Sequence, residues 1–167
     1  MTFKKDFSQE YATINVCSDT RAGLGCDVHC FGNGSGITLG GVKIPCGKSL
    51  IAHSDGDVVY HALMDALLSA AGLRDIGCYF PDSDPQYKNA DSGKLLNTVV
   101  KLIYEAGYTA VNASVAIQAE TPRLSPYIDR MKDNISRALY ISPDSVGITC
   151  GTGERLGFVG EGLGIYV

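Results

Sequence analysis

No uninterrupted apolar run in this sequence approaches the ~20 residues that a membrane-spanning helix requires, which argues against a bilayer-spanning protein. Basic charge is not in excess either. The 14 Lys and Arg residues stand against 18 Asp and Glu, for a net charge of -4, so there is no broad electrostatic footprint for nucleic acid or an anionic membrane surface. The expected partners are small molecules or copies of the chain itself. The opening MTFKKDFSQEYATINVCSDT lacks the continuous apolar stretch of a secretory signal. Without an oxidising destination, Cys17, Cys26, Cys30, Cys46, Cys78 and Cys150 are expected as free, mostly buried thiols. At 167 residues the chain is too short for two ordinary domains, and its 45% hydrophobic content suffices for one core. Residues 1–20 are polar and aperiodic and are expected to form an extension or processed leader remnant, with the domain over 21–167.

The pattern of the domain is mixed. CDVHCF reads as a strand, GNGSG as a turn and ITLGGVKIP as a second strand, together a hairpin. A helix is predicted over Asp55 to Ala71, with Ser54 or Asp55 as its cap and Gly72 as its stop. RDIGCYFPDSDP reads as a loop. A second helix is predicted from Asp91 or Ser92 to Gly107, on the apolar face of Leu95, Leu96, Val99, Val100, Leu102 and Ile103. VNASVAIQ alternates as a half-buried strand. A third helix is predicted from about Ser125, carried by Ile128, Met131, Ile135 and Leu139, and VGITCG and LGIYV read as the last strands. The fold class expected is α+β, a mostly β sheet packed on one side by helices, without the regular alternation of a doubly wound fold.

Only three histidines occur, His29, His53 and His61, all near carboxylates. On a strand Asp27 and His29 project to one face while Cys26, Val28 and Cys30 project to the other. On a helix His61 shares a face with Asp57 and Asp65, which offers it carboxylate neighbours. Asp27, His29 and His61 would then supply one oxygen and two nitrogen ligands with a position left open, the arrangement of a catalytic zinc site. Any one histidine alone reads more readily as a satisfied core or surface group, and the HSDGD carboxylates also read as helix caps. Two histidines and a carboxylate equally serve a metallohydrolase or a ferrous oxygenase, and a zinc-stabilised binding module is a non-enzymatic alternative. The segment GTGERLGFVGEGLG offers backbone amides to phosphate oxygens. It lacks the Gly-Lys-Ser/Thr of a P-loop, and Gly151, Gly153 and Gly157 do not have dinucleotide-fingerprint spacing.

In order, DVHCFG, LGGVKIP, HSDGDVVYHALMDALL, DIGCYFPDSDP and GTGERLGFVGEG resemble the 2-C-methyl-D-erythritol 2,4-cyclodiphosphate synthase family, from about Arg21 to the end of the chain. The resemblance implies zinc on Asp27, His29 and His61, and magnesium or manganese on Glu154. It implies substrate contacts from Asp27, Val28, His29, His53, Ser54, Asp75, Ile76, Gly77 and the run Phe80, Pro81, Asp82, Ser83 and Asp84, with Asp82 as the hydroxyl-binding carboxylate. The nucleotide pocket is implied over Ala119, Glu120, Thr121, Pro122, Arg123, Leu124 and Ser125, with Cys150, Gly151, Thr152, Gly153, Glu154 and Phe158. His53 and Thr152 are the implied transition-state stabilisers.

The reaction so implied closes a cyclic diphosphate by attack of the substrate's own 2-phosphate oxygen, with loss of CMP. No protein nucleophile is required. The family resemblance also implies a homotrimer with sites between subunits, and a bacterial cytoplasm or a plastid-like organelle as the compartment. Many relatives carry two or three threonines before the glutamate. Here Cys150, Gly151, Thr152 and Gly153 leave one hydroxyl.

Overall fold

The computed structural model describes residues 20–167; the extension expected over residues 1–20 lies outside them except for Thr20. Seven strands and five helices follow in the order β1 (Val28–Asn33), β2 (Gly36–Leu39), β3 (Val42–Pro45), β4 (Lys48–Leu50), α1 (Val58–Ala71), α2 (Ile76–Tyr79), α3 (Ser92–Glu105), β5 (Ala113–Gln118), α4 (Ile128–Leu139), β6 (Val146–Gly151), α5 (Gly157–Gly160) and β7 (Gly164–Tyr166). Short 3-10 turns at Pro85–Tyr87, Ser125–Tyr127 and Pro143–Ser145 lead into or link them. Five strands form one sheet in the order β4-β1-β7-β5-β6, and β2 with β3 forms a separate two-stranded sheet. The architecture is mixed α+β, as the sequence pattern implies.

Two expectations about the first strands are corrected. ITLGGVKIP is two strands, because Gly40 and Gly41 both adopt positive φ (53° and 70°) and turn the chain back, with Leu39 paired to Val42. Consecutive positive φ values are what a tight two-residue hairpin requires. The strand CDVHCF does not pair with this hairpin. Its β1 core pairs antiparallel with β4 and with β7, His29 lying opposite Ile165. The only parallel pair among the described residues is β5 with β6, joined through α4, in register from Ala113 with Val146 to Gln118 with Gly151.

Helices α1, α3 and α4 supply Val58, Met64, Leu68, Leu96, Val99, Met131 and Ile135 to a core that also takes Leu39, Val42, Ile44, Ile117 and Ile165, all fully buried. Each such side chain contributes roughly 1.5–3 kcal/mol of transfer free energy. Helix α1 starts later than expected. Its N-cap is Asp57, which accepts from Tyr60 N, and not Ser54 or Asp55. Its stop at Gly72 in the left-handed conformation is as expected. Helix α3 begins at Ser92, one of the two starts expected, with Asp91 as its N-cap. The loop expected at RDIGCYFPDSDP contains α2, capped by Asp75, and the 3-10 turn capped by Asp84. The third helix opens with the Ser125–Tyr127 3-10 turn before α4 begins at Ile128.

The thiols are also corrected. Among the described cysteines Cys26, Cys30, Cys78 and Cys150 are exposed and Cys46 is half-buried, all free; Cys17 lies outside the described residues. Cys26 and Cys30 stand on the side of β1 opposite His29, with Val28 50% exposed between them and Tyr166 of β7 40% exposed beside them. Apolar and thiol groups are left on that face because a single chain has no layer to cover it. Among the described residues no helix is long and apolar enough to cross a membrane.

Candidate metal centre and phosphate-binding loops

Asp27 lies just before β1 but is held in the ladder by paired backbone hydrogen bonds with Val167 (3.0 Å each). The β alternation therefore does bring Asp27 and His29 to one face. The chain ahead of it runs across α1 with almost no clearance. A Cβ on Gly25 would sit 2.0 Å from Ala62 O and 2.5 Å from Ala66 N, so only glycine permits this approach. That contact brings Asp27 over the turn of α1 that carries His61.

Asp27 Oδ2 is 3.1 Å from His29 Nε2 and 3.0 Å from His61 Nδ1. The two rings meet edge to face with centroids 5.2 Å apart. The three ligand atoms all lie within 4.8 Å of one another. The side chains of both histidines are 12% exposed and that of Asp27 26%, so the set opens to solvent on one side. Burial raises the Asp27 carboxyl, but hydrogen bonds with His29 and His61 outweigh it and hold the group well below the usual carboxylate range. For His29 burial lowers the pKa and the Asp27 contact more than reverses it.

The donor set fits a divalent metal. Two imidazoles and one carboxylate converge, ~2 Å ligand bonds can be made to a common point with little movement, and the distal ring nitrogens are occupied elsewhere. His29 Nδ1 lies 3.2 Å from Gly56 O, and His61 Nε2 lies 3.0 Å from Ser54 Oγ and 3.1 Å from Ser92 Oγ.

The carboxylates expected to flank His61 do something else. Asp57 is fully buried and accepts from Gly40 N at 2.8 Å, Gly41 N at 2.6 Å and Tyr60 N at 3.1 Å. It clamps the β2–β3 turn to the start of α1. Burial pushes it up to about 6 in spite of these donors. Asp65 accepts from Ile76 N at 2.8 Å and ties α1 to α2. The neighbours of His61 come from Ser54 and from Ser92, a residue the sequence reading passed over because it sits 31 positions away at the start of another helix.

His53, in the loop that leads into α1, has its Nε2 buried with no hydrogen-bond partner among the described residues, a group that a ligand can satisfy. The sugar-contacting run follows α1. Asp75 caps α2 through Cys78 N, and Ile76 and Gly77 lie within it. Phe80 ends α2 and stacks edge-on against Tyr87 at 5.4 Å. Pro81 is half-buried, Asp82 and Ser83 are exposed in the turn, and Asp84 is occupied by Gln86 N (3.0 Å) and Gln86 Nε2 (2.6 Å).

The loops expected to hold the nucleotide leave the same end of the parallel pair β5 and β6, where Ala119 N donates to Gly151 O at 3.0 Å. The carboxyl ends of parallel strands are a common place for ligands. Ala119 and Leu124 are buried at 7% and 5% exposure, so they can offer a ligand only their backbone. Arg123 Nε donates to Ser125 Oγ at 3.0 Å, and Thr121–Pro122 is a cis peptide. Glu120 Oε2 accepts from Gly153 N at 3.2 Å, and Thr152 Oγ1 donates to Glu154 Oε1 at 2.7 Å. Cys150 and Gly151 end β6. Glu154 and Arg155 both adopt positive φ, 49° and 64°, a costly conformation for two non-glycine residues that concentrates at ligand sites. Phe158, 44% exposed, lines a cavity of about 320 Å³ with Gln118, Gly153, Leu156, Val159 and Tyr166. Among the described residues no hydrogen bond or ion pair joins these loops to the Asp27 cluster.

Residues 20–167 match the YgbB family. The 2-C-methyl-D-erythritol 2,4-cyclodiphosphate synthase of Pseudomonas aeruginosa strain UCBPP-PA14 is 50% identical over 147 residues, covering 88% of this chain and 94% of that protein. Among solved structures, the bifunctional IspDF of Campylobacter jejuni superposes with a TM-score of 0.85 at 38% identity, over 89% of this chain; the chain spans 40% of that longer protein. A CDP-bound 2C-methyl-D-erythritol-2,4-cyclodiphosphate synthase superposes with a TM-score of 0.80 at 36% identity, covering 87% of this chain and 95% of that one.

Proposed function

The chain belongs to the YgbB family, and on that premise we infer that it is an enzyme of isoprenoid biosynthesis by the methylerythritol phosphate route. It converts 4-diphosphocytidyl-2-C-methyl-D-erythritol 2-phosphate to the 2,4-cyclodiphosphate and CMP. The observation that carries this reading is the convergence of Asp27 Oδ2, His29 Nε2 and His61 Nδ1 beside an open face, in a chain half identical to enzymes that bear that name.

We propose zinc as the ion of this cluster, from its nitrogen-rich donor set, and magnesium or manganese at Glu154, where one exposed carboxylate suits a hard ion completed by substrate phosphates. The ions would neutralise charge on the reacting phosphates.

The protein's own groups position the reaction. An oxygen of the substrate's 2-phosphate attacks the phosphorus nearest the erythritol. A new P–O bond forms there as the P–O bond to the CMP oxygen breaks, and CMP departs with that oxygen and its charge. His53, whose Nε2 has no partner among the described residues, is suited to donate a hydrogen bond to a phosphate oxygen. Thr152 is suited to the same task on the nucleotide side, once its hydroxyl turns from Glu154. Val28, Ser54 and the run from Asp75 through Asp84 would hold the methylerythritol phosphate, with exposed Asp82 accepting from its hydroxyls. The backbone from Ala119 to Ser125 and from Cys150 to Glu154, with Phe158, would hold the cytidine diphosphate portion. The gain comes from holding both ends of one folded substrate and from fixed donors at the reacting phosphates.

Assembly as a homotrimer completes the proposal. The uncovered face around Val28 and Tyr166 supports burial against further copies of the chain, with sites shared between subunits. The domain boundary at residue 21 and a bacterial cytoplasm, of the compartments considered, are proposed on the extent of the family match and the bacterial relatives.

Incubation with the cytidylyl substrate, zinc and magnesium, followed by phosphorus NMR, tests the function. Equimolar CMP and cyclic diphosphate, both suppressed by chelator, are expected. CMP without the cyclic product would mean a hydrolase.

A further inference from the structure

His61 must present an unprotonated Nδ1 to a metal held with Asp27 and His29, so the proton of the neutral ring must stay on Nε2. Two hydroxyls face that nitrogen, Ser54 Oγ at 3.0 Å and Ser92 Oγ at 3.1 Å. A hydroxyl can donate or accept, so proximity alone leaves the tautomer free. Ser54 does not decide it: its oxygen accepts from Gly56 N at 3.2 Å and its proton can point either way.

Ser92 is different. It is fully buried at the start of α3, and its hydroxyl donates to Asp55 Oδ1 at 2.5 Å while its backbone N–H donates to Asp55 Oδ2 at 3.2 Å. Asp55 is itself fixed by its own N–H on Ala90 O at 3.0 Å and by accepting from Asp57 N at 3.3 Å. A carboxylate can only accept, so the single Ser92 proton is committed to it. The Ser92 oxygen then has only lone pairs for His61.

We propose that Asp55 and Ser92 are positioning residues for His61: the carboxylate takes the Ser92 proton, the Ser92 oxygen accepts from His61 Nε2–H, and the Nδ1 lone pair is thereby directed at the metal position beside Asp27. The proposal rests on the metal reading of the cluster above. It adds to the ligands a three-residue chain running from the HSDGD loop through the first residue of α3 to the first turn of α1, so the first turn of α3 takes part in metal affinity without touching the metal.

Outer hydrogen-bond partners of ligating histidines set metal affinity by about 10–100-fold. The test measures the zinc dissociation constant of the full chain by competition with a chromophoric chelator, for wild type, Ser92→Ala, Asp55→Asn and the conservative Ser92→Thr. Asn keeps the shape of Asp55 but can turn an amide donor toward Ser92 and reverse the polarity of the chain. Binding weaker by about 10–100-fold in Ser92→Ala and Asp55→Asn, with recovery in Ser92→Thr, is the expected result. The second readout is the imidazole N–H proton of zinc-loaded wild type by NMR. A downfield, slowly exchanging resonance assigned to His61 Nε2–H is expected, moved upfield in Asp55→Asn. A merely structural staple between the HSDGD loop and α3 would not move that resonance.

Unchanged zinc affinity and an unchanged resonance in Asp55→Asn would overturn the proposal, even if Ser92→Ala failed to fold. Wild type that binds no zinc would instead overturn the metal reading, and this proposal with it.

Discussion

His61 Nδ1 and Asp27 Oδ2 lie 3.0 Å apart although 34 positions separate them in the chain. The contact joins the first turn of α1 to the lead-in of β1, and removing either side leaves a two-ligand remnant. His61→Ala is expected to abolish turnover and lower zinc content while the fold persists, since the ring lies beside the open face and outside the apolar core. Metal analysis and circular dichroism of the purified variant check this. Full activity would remove His61 from the site.

Glu154 is exposed, and its carboxylate meets only the Thr152 hydroxyl among the described side chains. Glu154→Gln retains that contact but loses the charge. Turnover is expected to fall at least ~100-fold, the several kcal/mol attributed to an ion's stabilisation of phosphoryl charge, with partial recovery as magnesium is raised. Rates across a magnesium series decide it, and an unchanged profile would dissociate Glu154 from the second ion.

Asp57 gives a pH-dependent stability term. Its folded-state pKa is pushed up to about 6 from 3.8 by burial, so between those values the native protein holds a proton that the unfolded chain has released. Stability from this group is therefore fully present below about pH 4, falls as pH rises toward 6 and is flat above. Two pH units correspond to about 3 kcal/mol as an upper figure. In urea titrations from pH 4 to 7, the stability difference between wild type and Asp57→Asn should shrink across that window. A constant difference would show that Asp57 ionises normally.

The Gly25 approach to α1 predicts that Gly25→Ala is destabilising by roughly 1–3 kcal/mol, as for overpacked sites, because its Cβ would meet the backbone of Ala62 and Ala66 and not a movable side chain. It should also weaken zinc binding by displacing Asp27. Thermal unfolding with and without zinc measures both, and wild-type values for both would mean the segment shifts freely.

Much of the site was legible because its signals are local. The two-residue alternation that aligns Asp27 with His29, the apolar faces of α3 and α4 and the Gly72 stop follow from backbone periodicity and capping chemistry over a few residues. So did the order of motifs that resembles the family. Where the reading went astray, the deciding partner lay far away. Asp57 looked like a neighbour of His61 on the helix, but the amides of Gly40 and Gly41 capture its carboxylate. The first strand seemed ready to pair with ITLGGVKIP, but it pairs with β4 and with β7 from the end of the chain.

The sequence by itself determined which groups could ligate a metal, where the long helices lie, and the family, since these depend on residue type and short-range spacing. Only the tertiary structure decided which hydrogen-bond partner each carboxylate and imidazole takes. Ser92 and Asp55 reach His61 because α3 packs against α1 and the HSDGD loop closes over its first turn. A directional bond ~3 Å long depends on packing between distant segments, which no local pattern in the chain encodes.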